Sequence, residues 1–408
     1  MTTSRTYDLY SPAFRAHSHA VYHTMREHDP VTCQPWADGT TPIWFVTRYA
    51  DVARVLRDDQ HFVRDPTTLW APDDVAAKVP TRAPFHELAD NHMLNKDGAD
   101  HRRLRTLVQP AFAPRVIAHW RDRIQAIADG LLARLPAAGS MDLVADYAFP
   151  LPIMVIAELL GVPSADRDQF RAWSDTFVSP VVGAEATARF AAQMQAFTRY
   201  VQGLVAERRA RPRADLLSAL VAAEAEGDRL GEAELVSMVV LLIVAGHETT
   251  VTLIGNSVLA LLQHPEQLRW LQQEPARVGP AVEELLRYDS PVERALPRFA
   301  AAAVEVGGQR MERGAQVVAV LASANRDEAV FSAADRLDVT RGPQRHLAFG
   351  TGVHFCLGAA LARLEGEIAL RTLLARVPGL RLSGGAGELS YRPVPLFHSL
   401  AALPVAWS

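Results

Sequence analysis

The chain of 408 residues is 49% hydrophobic, enough to bury a large interior without disulfides or structural metals. Its net charge of −4 offers no basic excess for nucleic acid, and Cys33 and Cys356 make no disulfide framework, so an intracellular, cytoplasmic protein is expected. The start, MTTSRTYDLYSP, has no signal-peptide core, and the longest apolar run, LVSMVVLLIVAG at 235–246, is well short of the ~20 residues of a membrane span.

In chain order, IWFVTRYADVARVLRDD predicts a short strand at 43–47 and a helix from Ala50. The proline-containing stretch 65–95 has weak periodicity and reads as a long loop. A helix opens at HRRLRTLVQPAF and stops near Pro110. Further helices are expected at 115–136, 151–160, 165–178 and 185–209. Residues 232–263 contain no proline and predict one continuous helix of roughly 48 Å. Helices follow at 265–273 and 278–288. The pattern turns β around 303–321, VEVGGQRMERGAQVVAVL, with Gly-Gly between two alternating runs. The last helix is 357–376, with Leu357, Leu361, Leu364 and Ile368 on one face. No repeat, linker or βαβ alternation appears. The expected class is mainly α with a small β portion near 43–47 and 303–321, in one domain over 1–408.

Chemistry concentrates in HLAFGTGVHFCLGAALARLE, residues 346–365. A free cysteine among apolar residues is ordinarily a small core residue. Here Gly350 and Gly352 precede it, admitting tight turns and close approach to a flat ligand. Cys356 lies at the mouth of the last helix, where free N–H groups stabilise a thiolate. Gly358 leaves no side chain two residues on. A thiolate so placed suits an axial ligand to haem iron better than a nucleophile. GTGVHF begins like a dinucleotide fingerprint but has Phe355 where Gly is required, and no βαβ unit surrounds it. A cysteine hydrolase, needing a His and an Asn or Asp brought near in space, stays open but leaves the glycines unexplained.

The run Phe349-Gly350-Thr351-Gly352-Val353-His354-Phe355-Cys356-Leu357-Gly358 resembles the haem-ligand signature of the cytochrome P-450 superfamily at each signature position. LGAALARLEGEIALRTLL is similar to soluble bacterial members, especially those of actinobacterial secondary metabolism. The resemblance implies a triangular helical prism with haem b (iron protoporphyrin IX) between the long central helix and the Cys356 loop, and a monooxygenase that uses O2. In AGHETT, 245–250, a zinc-protease reading fails because the second His would fall on Val251. Gly246 costs helix stability and Glu248 is expensive to bury alone. By resemblance, Glu248 and Thr249 are the catalytic acid–alcohol pair that delivers protons for dioxygen activation, in a locally distorted helix. Leu241, Val244 and Ala245 share their face.

The same resemblance makes Glu284 and Arg287 of EELLR a buried, fold-locking ion pair. It assigns His101 and Arg105 of HRRLR, at (i, i+4), together with Arg298 and His354, to the haem propionates. Phe349, Gly350, Gly358 and Ala245 complete the cofactor-binding set. DGADH, ahead of that helix, lacks the prolines common in the family.

With no flavin or nicotinamide module visible, the resemblance implies a ferredoxin or flavodoxin electron donor with its NAD(P)H reductase. Arg102, Arg103, Arg105, Arg115, Arg121 and Arg123, against Asp122 alone, form a candidate docking patch. Candidate substrate contacts are the 65–95 loop, the 165–195 helix pair, Leu241, Val244, Ala245, Ala295 and Phe397. They are mostly apolar and suit a hydrophobic polyketide or macrolide, terpenoid, steroid or fatty acid. Arg294 reads as a surface residue, or as a partner for a substrate carboxylate. A peroxide-using hydroxylase of the same fold is the alternative, although such members place Arg and Pro where this chain has Glu248-Thr249. A non-catalytic haem-binding or redox protein would need no proton relay. A monomer is expected, with neither nucleic acid nor membrane as partner.

Overall fold

The computed structural model describes residues 5–408 apart from 72–73, 76–77, 79–90, 179–183, 226–227, 386 and 388. Parts of the 65–95 loop and of the 165–195 helix pair therefore lie outside the described residues. The long helix, Glu232–Gln263, spans the expected range without a break. It starts where the Gly231 N–H donates to the Glu234 carboxylate at 2.8 Å, and it ends at His264, ahead of Pro265. Apolar on nearly all sides, it packs against the helices Pro150–Leu159, Val278–Tyr288 and Ala359–Arg376. Among the described residues it is the one helix with the length and hydropathy of a membrane span. Yet 72% of its apolar window is buried inside the protein, as for a core helix.

Two helical expectations need correction. The segment 115–136 divides into Pro114–Ala118 and Arg121–Leu132, with His119 and Trp120 between them. The last helix starts at Ala359 rather than 357, because Gly358 caps it at φ −84°, ψ 10°. A further helix, Pro12–His28, opens the chain. Ser11 Oγ accepts the Phe14 N–H at 3.1 Å, and Pro12 needs no donor in the first turn.

The β portion is wider than expected. Strands β1 (Val31–Pro35), β2 (Pro42–Val46), β3 (Phe62–Val63), β4 (Arg298–Ala300) and β5 (Gln316–Ala319) form one sheet in the order β1-β2-β5-β4-β3. The pairing of β2 with β5 is parallel, Ile43 opposite Gln316, and joins segments far apart in sequence. The Gly-Gly signal holds: Gly307 and Gly308, at φ +54° and +76°, turn the hairpin Val304–Val306/Gln309–Met311. A three-stranded sheet draws on Gly139–Asp142, Arg381–Leu382 and Pro404–Trp407.

Arg294 is neither on the surface nor placed to meet a substrate carboxylate. It is fully buried, donating from Nε to the Tyr22 hydroxyl at 2.7 Å and from Nη2 to the Leu9 carbonyl at 2.8 Å. The rings of Tyr10, Phe14, Tyr22 and Phe45 surround the guanidinium at 5.0–5.7 Å. Cation–π attraction and two charge-assisted bonds offset its desolvation.

Candidate active site

The cysteine loop is shaped by its backbone. The Cys356 N–H closes back on the Phe349 carbonyl at 3.0 Å, Phe355 N–H on Gly352 O at 3.0 Å, and Gly350 N–H on Leu347 O at 2.8 Å. Gly350 and Gly352 sit at φ +66° and +78°, where glycine alone is unstrained. A Cβ on Gly352 would lie 2.6 Å from the Leu56 carbonyl oxygen, so the loop is pressed against the helix Tyr49–Arg57. A Cβ on Gly350, Gly358 or Gly246 would meet no atom within 4 Å. Burial pushes the Cys356 thiol up, opposed by the Gly358 N–H and by the charges of Arg105 and Arg363. The Phe349 ring is covered by the Arg363 guanidinium at 4.5 Å.

Glu284 and Arg287 support this loop from below. Arg287 donates from Nε and Nη2 to the two Glu284 oxygens at 2.7 and 2.8 Å, with both residues buried. Its remaining donors reach the carbonyls of Asn325, Ala334 and Arg336 at 2.7–3.0 Å. Asn325 carries the link onward: its Oδ1 accepts the Leu347 N–H at 2.6 Å, and its Nδ2 donates to Ser290 Oγ at 2.8 Å. The ion pair is thus two hydrogen bonds from the cysteine loop. No sequence spacing pointed to Asn325.

At one edge of the site, bases gather. His101 is buried, its Nε2 has no hydrogen-bond partner, and its ring centroid is 4.3 Å from that of His354. Burial pushes His101 down to about 4, helped by the His354 and Arg105 charges. His354 is also lowered, by burial first, although its Nε2 lies 3.7 Å from Asp97 Oδ1. Arg298 donates to Phe62 O at 3.1 Å and Leu56 O at 3.3 Å. Burial lowers its pKa as well. Arg64, which sequence reasoning missed, donates to Pro297 O and Asn95 Oδ1, and burial lowers it to about 10. Nothing in FVRDP distinguished Arg64 from a solvated arginine. Arg105 turns to the loop instead, donating to Val353 O at 3.1 Å. The carboxylates acting on these bases are Asp97, Asp59 and Asp65. Burial that lowers the basicity of so many neighbouring bases is what buried cations show when anionic ligand groups belong beside them. Two propionates fit this donor set, as the open side of Gly350 and Gly358 fits a flat ring.

The long helix packs against the helix that follows Cys356. Within a helix that is otherwise mostly buried, Ala245 is exposed, and Val244, Gly246 and Thr249 are half-buried. Thr249 Oγ1 donates to Ala245 O at 2.6 Å, and Thr250 Oγ1 to Gly246 O at 2.9 Å. The local distortion that the resemblance implied is absent here: the segment remains α-helical, with these hydroxyls bonding its carbonyls. Glu248 is buried and accepts from Arg392 Nη1 at 2.7 Å. No sequence signal joined residues 248 and 392.

Of the candidate substrate contacts, Leu241 is packed in the core beneath this stripe. The segments that carry Ala295 and Phe397 pair with each other: Glu293 N–H bonds Leu396 O at 2.9 Å, and Val292 bridges to Phe397. Of the six arginines counted toward docking, Arg103 pairs with Glu234 and Asp228, Arg121 with Glu367, and Arg123 with Glu158. With Arg105 bonded to Val353, only Arg102 and Arg115 of the six stay exposed without such a bond among the described residues. Beside the cysteine loop, Val353 and Phe355 are 37% and 40% exposed, and Val116 is 37% exposed, so this face is more apolar than the arginine count suggested.

Comparison with known proteins agrees with the geometry. The model of the family "Cytochrome P450" matches residues 168–377. The vitamin D(3) 25-hydroxylase of Pseudonocardia autotrophica is 44% identical over 99% of this chain and 98% of its own. The chain belongs to the cytochrome P450 family. Among solved P450 structures, the bacillaene polyketide synthase P450 PksS of Bacillus subtilis has a TM-score of 0.91 at 38% identity, covering 99% of this chain and 100% of its own. The myxobacterial P450 CYP267B1 in complex with myristic acid also gives 0.91, at 42% identity and 98% of both chains. This P450 is a haem b monooxygenase of the bacterial secondary-metabolism type, with the helical P450 fold. As a P450 it takes electrons from redox partners and acts on a hydrophobic substrate.

Proposed function

We propose that this P450 inserts one oxygen atom of O2 into a C–H or C=C bond of a hydrophobic natural product, a polyketide or macrolide, terpenoid, steroid or fatty acid. Residues 1–408 act as one cytoplasmic domain and monomer, reduced by a ferredoxin or flavodoxin with its NAD(P)H reductase. The observations that carry the reading are Cys356, in its glycine-turned loop, and the uncovered Val244–Gly246 and Thr249 positions of an otherwise mostly buried helix. Haem, when bound through Cys356, supplies the oxygen chemistry, and thiolate donation favours O–O cleavage. His101, His354, Arg64 and Arg298 neutralise and orient its propionates.

The chain's own part is placement and protons. Thr249 Oγ1, on the stripe beside Ala245, holds a proton where oxygen binds. Glu248, held by Arg392, relays protons toward that hydroxyl. Val244, Ala245, Ala295 and Phe397 form apolar walls that exclude water and receive the substrate. Support for the substrate class comes from the relatives, whose names and titles give vitamin D(3), a polyketide pathway and myristic acid.

The test is a screen of such compounds by the spin-state shift of the ferric protein, followed by turnover with reductant and O2. Hits that are hydroxylated or epoxidised only with reductant and O2 support the reading. Product formed only with peroxide would replace it with the peroxide-using alternative.

A further inference from the structure

Away from the haem site, three side chains from distant parts of the chain converge. His19 comes from the helix Pro12–His28, Asp289 follows the helix Val278–Tyr288, and His398 sits beside Phe397 in the C-terminal turn. Their ligand atoms all lie within 4.8 Å of one another. His398 Nδ1 is 2.9 Å and His19 Nε2 is 3.6 Å from the same Asp289 oxygen, Oδ1. Two imidazole nitrogens and a carboxylate oxygen are the donor set of zinc-class cations.

Two details favour a cation at this point. His398 Nε2 lies 3.0 Å from the Arg15 carbonyl, which can only accept. Nε2 therefore carries a proton, and in the neutral ring Nδ1 presents a lone pair to a carboxylate oxygen. A second proton on Nδ1 makes the contact an ion pair with Asp289, and a metal cation is the other charge that can take that proton's place. A metal-bound histidine holds its ring in this way, by donating its other N–H to a carbonyl. The second detail is His19: both of its ring nitrogens are buried without a hydrogen-bond partner. Tetrahedral zinc with bonds of ~2.0–2.1 Å spaces its ligand atoms about 3.4 Å apart. The ion would therefore open the 2.9 Å contact of His398 with Asp289 by about half an ångström and leave the 3.6 Å separation of His19 Nε2 from Asp289 nearly as it is. The nearby Arg326 is held off by Tyr288 O at 2.8 Å and Asp335 at 3.6 Å.

We infer that His19, Asp289 and His398 form a site for a divalent zinc-class cation that fastens the N-terminal helix to the turn carrying Phe397. It is independent of the haem and of the substrate reading. The test uses the tag-free holoenzyme, stripped with chelator, re-exposed to zinc chloride and freed of excess by gel filtration. Zinc is measured against haem by atomic emission, alongside the thermal midpoint. The expectation is zinc equimolar with haem and a raised midpoint. His19→Gln and Asp289→Asn should each weaken binding by more than the ~10–100-fold that loss of an outer partner costs. His23→Gln, in a separate exposed trio with Glu328 and Asp335, should leave it unchanged. If the wild type keeps no zinc at about 10 μM free metal, the three side chains share only a proton and the inference is overturned. Retention that survives both His19→Gln and Asp289→Asn overturns it equally.

Discussion

Asn325→Ala isolates the link between the ion pair and the cysteine loop. Asn325 is fully buried and makes two side-chain bonds. Ser290 Oγ loses a donor but still donates to Leu286 O at 2.9 Å, so little is lost there. The Leu347 N–H loses its acceptor, and a buried orphan donor costs about 1–3 kcal/mol. With the packing of the amide added, the total is about 2–3 kcal/mol. An unfolding entropy of ~2.1 cal/mol/K per residue gives ~0.9 kcal/mol/K for a chain of this size, so the midpoint should fall by only about 3 °C. The local effect is larger, because Leu347 O in turn holds the Gly350 N–H that sets the loop. At tenfold per 1.4 kcal/mol, haem release should speed up roughly 30–100-fold. The assay is haem transfer to excess apomyoglobin, with the carbon monoxide spectrum reporting thiolate ligation. A midpoint lowered by about 3 °C with haem release within twofold of wild type would mean that Asn325 only stabilises the fold. The anchoring argument would then be wrong.

Thr249→Ala should keep haem but lower product by roughly 10²-fold while reductant is consumed as peroxide; unchanged coupling of reductant to product would remove Thr249 from proton delivery. Arg287→Ala leaves the buried Glu284 with only Arg341 and the Asp338 N–H and should cost about 3–5 kcal/mol. A soluble, haem-loaded variant with a wild-type midpoint would contradict that. His101, lowered to about 4 when folded against 6.5 otherwise, binds fewer protons folded than unfolded in that interval. The haem-free protein should therefore lose stability as pH falls from about 6.5 toward 4, by up to ~3 kcal/mol, and the holoprotein should lose less. Equal acid sensitivity of the two forms, by thermal melts across pH, would refute the propionate assignment of His101. Reduction by ferredoxin should slow with salt and with Arg102→Glu plus Arg115→Glu, whereas Arg123→Glu should act mainly on stability. The reverse order in stopped-flow rates would relocate the docking face.

What the sequence disclosed was what local pattern encodes. The helix Glu232–Gln263 is uninterrupted by proline and framed by Gly231 and His264-Pro265, so its limits were legible. The cysteine loop was legible because Gly350, Gly352 and Gly358 stand at fixed offsets from Cys356. The sheet was under-read: β2 and β5 fall in the expected 43–47 and 303–321 segments, but β3 has two residues and β4 three, too few for a period-2 signal. Arg64, Asn325 and Arg392 act only through residues that tertiary folding brings to them, and no spacing announces that. Arg294 was misplaced for a related reason: its aromatic surroundings are distributed over Tyr10, Phe14, Tyr22 and Phe45.

That aromatic box around Arg294 bears on how the protein is produced. Its lid is the chain's own beginning, the Leu9 carbonyl and the Tyr10 ring. A shortened version starting after Ser11 would uncap an ionised guanidinium in the interior and remove the Ser11 cap of the first helix. Affinity tags therefore belong ahead of an intact leading segment, and trimming to a tidier first helix would sacrifice yield.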